Sequence, residues 1–264
     1  MKKLALIALL FIGCGGVSSI AQDTTYFDAG WKEATPDKAR YFKTRLKTDS
    51  GWLVKTYSSG NLITTGVYLD DSLKVPQGVL SYYDGKGHRT RLVTYNKGQE
   101  EGKEIYYYES GKIRAEGTNQ ADKAQGEWVA YYPTGQLSGK AVYDADKQVS
   151  GSFFKEDGTP NKKVSQFIKE SVYHGGDAAL YKFLGKTLQY PDEAMKKNIM
   201  GTVIVEYRIA VDGRVADIRV VQSVENSLDK EAVRVIGLMP DWEPAMLGGI
   251  PINSYKKLPI VFRF

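Results

Sequence analysis

The chain has 264 residues, 42% of them hydrophobic, enough for one large or two small domains with a real core. Lys and Arg number 36 against 31 Asp and Glu, a net charge of +5 that becomes +3 (34 − 31) when the two leader lysines are set aside. That is too mild to argue for nucleic acid, and no basic stripe is interleaved with stacking aromatics. The only cysteine is Cys14, which excludes an intramolecular disulfide and a thiolate metal site, so the fold must rest on its core.

Residues 1–21 read as a secretory signal: Lys2 and Lys3, an apolar run Leu4–Ile12, then Ser19-Ile20-Ala21 as a small-x-small cleavage site before Gln22. Two other readings stay open. Phe11-Ile12-Gly13-Cys14 resembles a lipoprotein box, with Phe where Leu is usual, and would leave a lipidated Cys14. Leu4–Ala21, 18 uncharged residues, just reaches the length of a membrane helix, although glycine and serine dilute its second half. Either would associate the exported protein with a membrane.

Residues 22–50, with Tyr26, Trp31, Tyr41 and Phe42, form an N-terminal segment or a degenerate first repeat unit. Residues 51–160 are repetitive. Gly51, Gly78, Gly102, Gly126 and Gly151 recur at spacings of 27, 24, 24 and 25, and Gly60, Gly87, Gly111 and Gly135 follow the first four at nine residues. Tyrosines or phenylalanines stand between them, as in G-K-E-I-Y-Y-Y-E-S-G-K-I and G-E-W-V-A-Y-Y-P-T-G-Q-L. Each unit reads as glycine, aromatic strand, turn, glycine, second strand. The prediction is an all-β array of stacked hairpins. In the fifth unit the turn glycine, Gly158, comes two residues early. The pattern resembles MORN-type repeats in the variant found in exported bacterial proteins and putative antitoxins. Turn chemistry accounts for the glycines and core packing for the tyrosines; an exposed aromatic row would instead bind glycan, peptide or lipid.

Residues 161–175 read as a linker, with independent folding expected on either side. Residues 176–264 read as an α+β domain of order α-β-β-α-β. The spacing predicts a helix over Asp177–Gln189 and a short helix over Pro191–Asn198. Val203, Val205, Tyr207, Ile209 and Val211 alternate with other residues, as in a half-buried strand. Asp212-Gly213 suits a two-residue hairpin turn, and Arg214–Ser223 returns. Asn226 or Ser227 is the expected cap of a helix reaching Met239, stopped by Pro240. A last strand ends the chain.

Gln189-Tyr190-Pro191, Ala194, Gly201-x-Val203, Asp212-Gly213-x-Val215 and Trp242-x-Pro244 occur in that order. Through them the last third of the chain resembles the C-terminal domain of TonB. The resemblance implies a periplasmic domain that grips an extended segment of an outer-membrane TonB-dependent transporter, or of a similar envelope protein, along its last strand. Carried onto this sequence, the partner-binding residues are Gln189, Tyr190 and Pro191, with Ser254, Tyr255, Lys256, Lys257, Leu258 and Ile260 on the strand.

No catalytic signature accompanies these features. His88 and His174, the only histidines, are far apart, and neither sits at ligand spacing from another His or from Cys. Phosphate-binding and nucleophile-elbow motifs are missing, and no cofactor or metal is called for. The adjacent pairs Asp70-Asp71 and Glu100-Glu101 read as solvated carboxylates, and Glu206, Arg208, Asp217 and Arg219 as the wet face of the hairpin. Two functions compete: a TonB-like module of energy-transducing transport that binds by strand addition, and an envelope scaffold whose repeat array is the main binding surface.

Overall fold

The computed structural model describes residues 23–264. The three leader readings, including lipidation of Cys14, lie outside the described residues. From Asp23 to Phe153 the chain is one antiparallel meander: β1 (Asp23–Phe27), β2 (Tyr41–Thr48), β3 (Gly51–Ser58), β4 (Asn61–Tyr68), β5 (Pro76–Tyr83), β6 (Arg89–Asn96), β7 (Gln99–Tyr107), β8 (Ile113–Gln120), β9 (Lys123–Tyr131), β10 (Leu137–Asp144) and β11 (Lys147–Phe153). The eleven strands lie in sequence order in a single sheet. At a strand spacing of about 4.8 Å they span roughly 50 Å.

Each of the first four repeats supplies two strands, and their turn glycines Gly60, Gly87, Gly111 and Gly135 have φ between +80° and +95°. Of the alternate turns, Lys97-Gly98 uses a glycine at its second position (φ +92°), while two others use none. Ala121-Asp122 and Ala145-Asp146 hold positive φ at both positions of two-residue hairpins, the geometry that matches strand twist. Residues 23–50 form a true hairpin partner of the array, with β1 on β2 and β2 on β3. The fifth unit keeps one full strand; beyond it only the bridge Phe154↔Pro160 forms.

One face of the sheet carries its core. Cross-strand partners Leu80↔Val93 and Trp128↔Ala141 are buried, Val93 and Trp128 almost completely. Glu104 is buried on the same face and fully partnered. It accepts from Arg91 Nε (2.5 Å) and Asn119 Nδ2 (2.7 Å), while Glu100 accepts from Tyr95 Oη (3.0 Å) and Asn119 Nδ2 (2.8 Å). Glu100 is therefore not the solvated carboxylate expected from its adjacent pair: it lies inside a hydrogen-bonded network, which is the condition for burying a charge. Glu101 turns the other way and accepts from Ala121 N–H.

The C-terminal part contains α1 (Gly176–Thr187), α2 (Asp192–Lys196), β13 (Gly201–Ile209), β14 (Val215–Gln222), α3 (Asn226–Gly237) and β17 (Ser254–Phe262). It also contains three short strands absent from the expected order: β12 (Ile168–Lys169), β15 (Ala245–Leu247) and β16 (Ile250–Ile252). The main sheet has the order β14-β13-β17, all antiparallel. Val203, Val205, Tyr207 and Ile209 are almost completely buried against Leu228, Ala232, Val235 and Ile236 of α3. Each such side chain contributes about 1.5–3 kcal/mol. Val211 lies past the strand end and is exposed. The hairpin connection is longer than two residues, running from Ala210 to Arg214, with Gly213 at φ +89°. A side chain there would meet the Trp242 carbonyl at 2.1 Å, so the close approach of the Trp242 backbone requires glycine. The cap of α3 is Glu225, one residue before the expected pair, and its carboxylate accepts from Ser227 N–H (2.8 Å).

Residues 161–175 do not run free. Phe167 is completely buried against Trp128 and Tyr143 of the array, and Gln148 of β11 accepts from its N–H (2.7 Å). β12 pairs with β15, and β15 with β16.

Candidate functional site: an open strand edge

β13 is the central strand of the C-terminal sheet, so β17 is an edge strand whose outer side pairs with no other strand among the described residues. Its burial alternates cleanly: Leu258, Ile260 and Phe262 face the core, while Tyr255, Lys257, Pro259 and Val261 are exposed. Pro259 sits opposite Ile204 of β13. Proline has no N–H, so it fits a strand where its nitrogen points away from the ladder. Because backbone direction alternates along a strand, the residues whose peptide groups face outward are then Tyr255, Lys257, Pro259 and Val261. Lys257 is the donor midway along that free edge.

The side chains around β17 are mostly committed. Ser254 Oγ donates to Ser171 Oγ (2.9 Å), and Lys256 Nζ lies 3.4 Å from Glu170 Oε2. Lys257 Nζ lies 3.7 Å from Glu206 Oε2, whose other partner is Arg219 on β14, directly across the sheet. Arg208 pairs with Asp217 at 2.6 Å. The expected wet face is thus a set of cross-strand ion pairs, with Glu206 largely covered by its two cations.

Gln189, Tyr190 and Pro191 connect α1 to α2 and sit at the far end of β17. Tyr190 stacks on Phe264 at 4.9 Å and meets Phe262 edge-on at 5.7 Å, while its hydroxyl donates to the Ile199 carbonyl (2.6 Å). Gln189 N–H donates to Glu231 Oε1 (2.7 Å) on α3. Burial pushes the Glu231 carboxyl up, but Arg234 (Nε to Oε2 2.6 Å) and the Gln189 N–H outweigh it and hold the group below its ordinary range. Pro191 precedes the first residue of α2 in an extended conformation. Between this segment and α3 lies a groove of about 520 Å³, lined among others by Gln189, Tyr190, Pro191, Lys230 and Arg234.

The expected site residues therefore fall into two groups. Gln189, Tyr190 and Pro191 meet the C-terminal end of β17; Ser254, Tyr255 and Lys256 lie at its start, eight residues earlier, about 27 Å along an extended strand. Leu258 and Ile260 carry side chains into the core, leaving only their place in the strand to contribute. Sequence reasoning missed Phe262, Phe264 and Glu231, which fix the Gln189–Pro191 segment, and Pro259, whose place in an apolar strand was already a signal of an edge.

No cluster of three or more His, Cys, Asp or Glu suited to a metal occurs among the described residues, and no helix there is long and apolar enough to cross a membrane. Comparison with known families gives two matches. Residues 186–264 match the model of the Gram-negative bacterial TonB protein C-terminal domain. Residues 100–118 and 124–145, which cover β7–β10, match the MORN repeat variant. No curated protein gives a significant match. The chain thus joins a TonB-type C-terminal domain to MORN-variant repeats, and the first match supports a TonB-like, envelope-associated role in general.

Proposed function

We propose that this protein is a periplasmic binding module that captures an extended segment of an envelope partner, such as an outer-membrane TonB-dependent transporter, by adding it as a fourth strand beside β17. The observation that supports the reading is the edge itself: nine residues long, with Pro259 turned outward and no strand beside it among the described residues. Main-chain bonds from Tyr255, Lys257 and Val261 supply affinity, and alternate side chains of the partner meet Lys257 and Val261 on the exposed face. The groove beside Gln189 and Tyr190 takes the partner residues that pass beyond the end of the strand. TonB C-terminal domains belong to a family of non-enzymatic protein-interaction domains, which agrees with this mode of action. The test is fluorescence anisotropy of labelled N-terminal peptides from outer-membrane transporters of the same cell. Saturable binding that Lys257→Pro removes supports the proposal; no binding by any of them contradicts it.

A scaffolding or adaptor role is favoured by the array. It spans roughly 50 Å as a continuous sheet, and the 9 prolines are scattered, with no extended spacer run. At its N-terminal end Lys43 lies 5.5 Å from the rings of Phe27 and Trp31, and Arg45 and Lys47 lie about 5 Å from Trp52. On this reading the protein accompanies an energy transducer and does not replace it. In cells lacking their transducer, expression of this protein should not restore uptake of a transporter-dependent nutrient; restored, proton-gradient-dependent uptake would overturn the accessory role.

A further inference from the structure

The β15–β16 hairpin belongs to the C-terminal part by sequence, yet its tip is buried in the repeat array. Its turn is Gly248-Gly249. Gly248 packs so close to β9 that a methyl group in its place would stand 1.9 Å from the Ala130 Cβ, and the Gly248 carbonyl lies 3.0 Å from where a side chain at Gly139 of β10 would begin. Leu247, beside the turn, is buried in one cluster with Trp128, Tyr143, Phe153 and Phe167. Gly248 N–H donates to the Phe167 carbonyl (2.6 Å), and Arg114 of β8 donates to the Pro251 carbonyl (3.1 Å). On the other side only Asn253 separates β16 from β17.

We infer that this hairpin is a wedge that makes the array and the C-terminal sheet one cooperative and mechanical unit. Tension on a segment held at β17 passes through Asn253 into β16 and from there into strands β8–β11, instead of ending in a slack linker. The array is then the seat of the binding edge. The strand-addition reading gives this coupling its use, but the coupling is tested without any peptide, so the two can fail separately.

The probe is Gly248→Asn in the full chain. Asn tolerates the left-handed backbone at this position (φ +61°), so the substitution acts through the clash with Ala130 rather than through backbone strain. Gly158→Asn is the control, with φ +83° and no atom within 4 Å of the added carbon. Calorimetry and hydrogen exchange are the readouts. The wild type and the control should unfold in one transition, with common protection of β9–β10 and residues 245–252. In Gly248→Asn the transition should split, and exchange at 164–172 and 245–252 should quicken by roughly tenfold to a hundredfold while β13 stays protected. Adding Ala130→Gly should restore much of the coupling. Two transitions in the wild type, or a Gly248→Asn variant indistinguishable from the control, would overturn the inference. Should the variant not fold at all, the wild-type exchange pattern decides: common protection supports the wedge, and independent exchange of the two regions refutes it.

Discussion

Glu231→Ala tests how the Gln189–Pro191 segment is held. Glu231 accepts from the Gln189 N–H (2.7 Å) and from Arg234 Nε (2.6 Å) and Nη2 (2.8 Å). Hydrogen bonds to a charged group contribute about 1.5–3 kcal/mol. Arg234 is 40% exposed and three residues away on the same helix, so its share is discounted for solvent screening to about 0.5 kcal/mol. The Gln189 bond therefore dominates, and the total loss should be about 2–3 kcal/mol. For a chain of this size that lowers the melting temperature by roughly 4–12 °C if unfolding is a single transition. Urea unfolding followed by tryptophan fluorescence reports it, since Trp242 lies in the same core. The pH dependence has a definite sign. The folded carboxyl lies below its ordinary value of 4.5, so its contribution is complete above that pH and is lost as pH falls through the folded value. Wild type and Glu231→Ala should thus differ most near neutrality, and the gap should narrow as pH falls below 4.5. A loss under about 0.5 kcal/mol at neutral pH, or a gap that widens in acid, would refute the reasoning.

Other outcomes follow from the strand register and from the leader. Lys257→Pro should leave the fold intact, because its amide faces outward, and should abolish peptide binding. Ile260→Pro removes an amide that faces β13 and buries the wrong side chain, so it should unfold the C-terminal sheet at a cost of about 3 kcal/mol or more; equal stability of the two variants by calorimetry would show the register argument to be mistaken. Tyr190→Phe loses the bond to the Ile199 carbonyl and should cost about 1 kcal/mol in urea titration; no change would mean that the hydroxyl is equally well solvated outside the fold. Intact-mass measurement of protein from the cell envelope should give a chain beginning at Gln22, and a mass retaining the leader would favour an anchored energy transducer.

The strands were legible because period-2 alternation is written directly into them. Val203, Val205, Tyr207 and Ile209 announce a buried face, and the glycine–tyrosine repeats announce hairpins. The pairing of β14 with β13 was legible in the turn between them, but the place of β17 on the other side of β13 was not, since pairing between segments some fifty residues apart leaves no local mark. The short strands β12, β15 and β16 escaped notice for a related reason. Two or three residues are too few for any periodicity, and Phe167 and Leu247 gain their burial only from the array. Val211 and the Glu225 cap show the usual limit at element ends, where one residue of register separates core from solvent. Of the candidate site, the last strand is written in the apolar run at Leu258–Phe264, and the family resemblance pointed to the Gln189-Tyr190-Pro191 segment as an expectation. Glu231 was not legible: it looks like any helix carboxylate until α3 is laid beside Gln189.

Strand addition at β17 is tested most directly by amide-resolved NMR during titration of the full chain with a transporter-type N-terminal peptide. The account predicts that the largest shifts, and new protection from exchange, fall on the outward amides of Tyr255, Lys257 and Val261, with smaller shifts at Gln189 and Tyr190 and little change in β14. Shifts confined to the repeat strands β1–β7, or saturable binding that leaves the β17 amides unmoved, would contradict it.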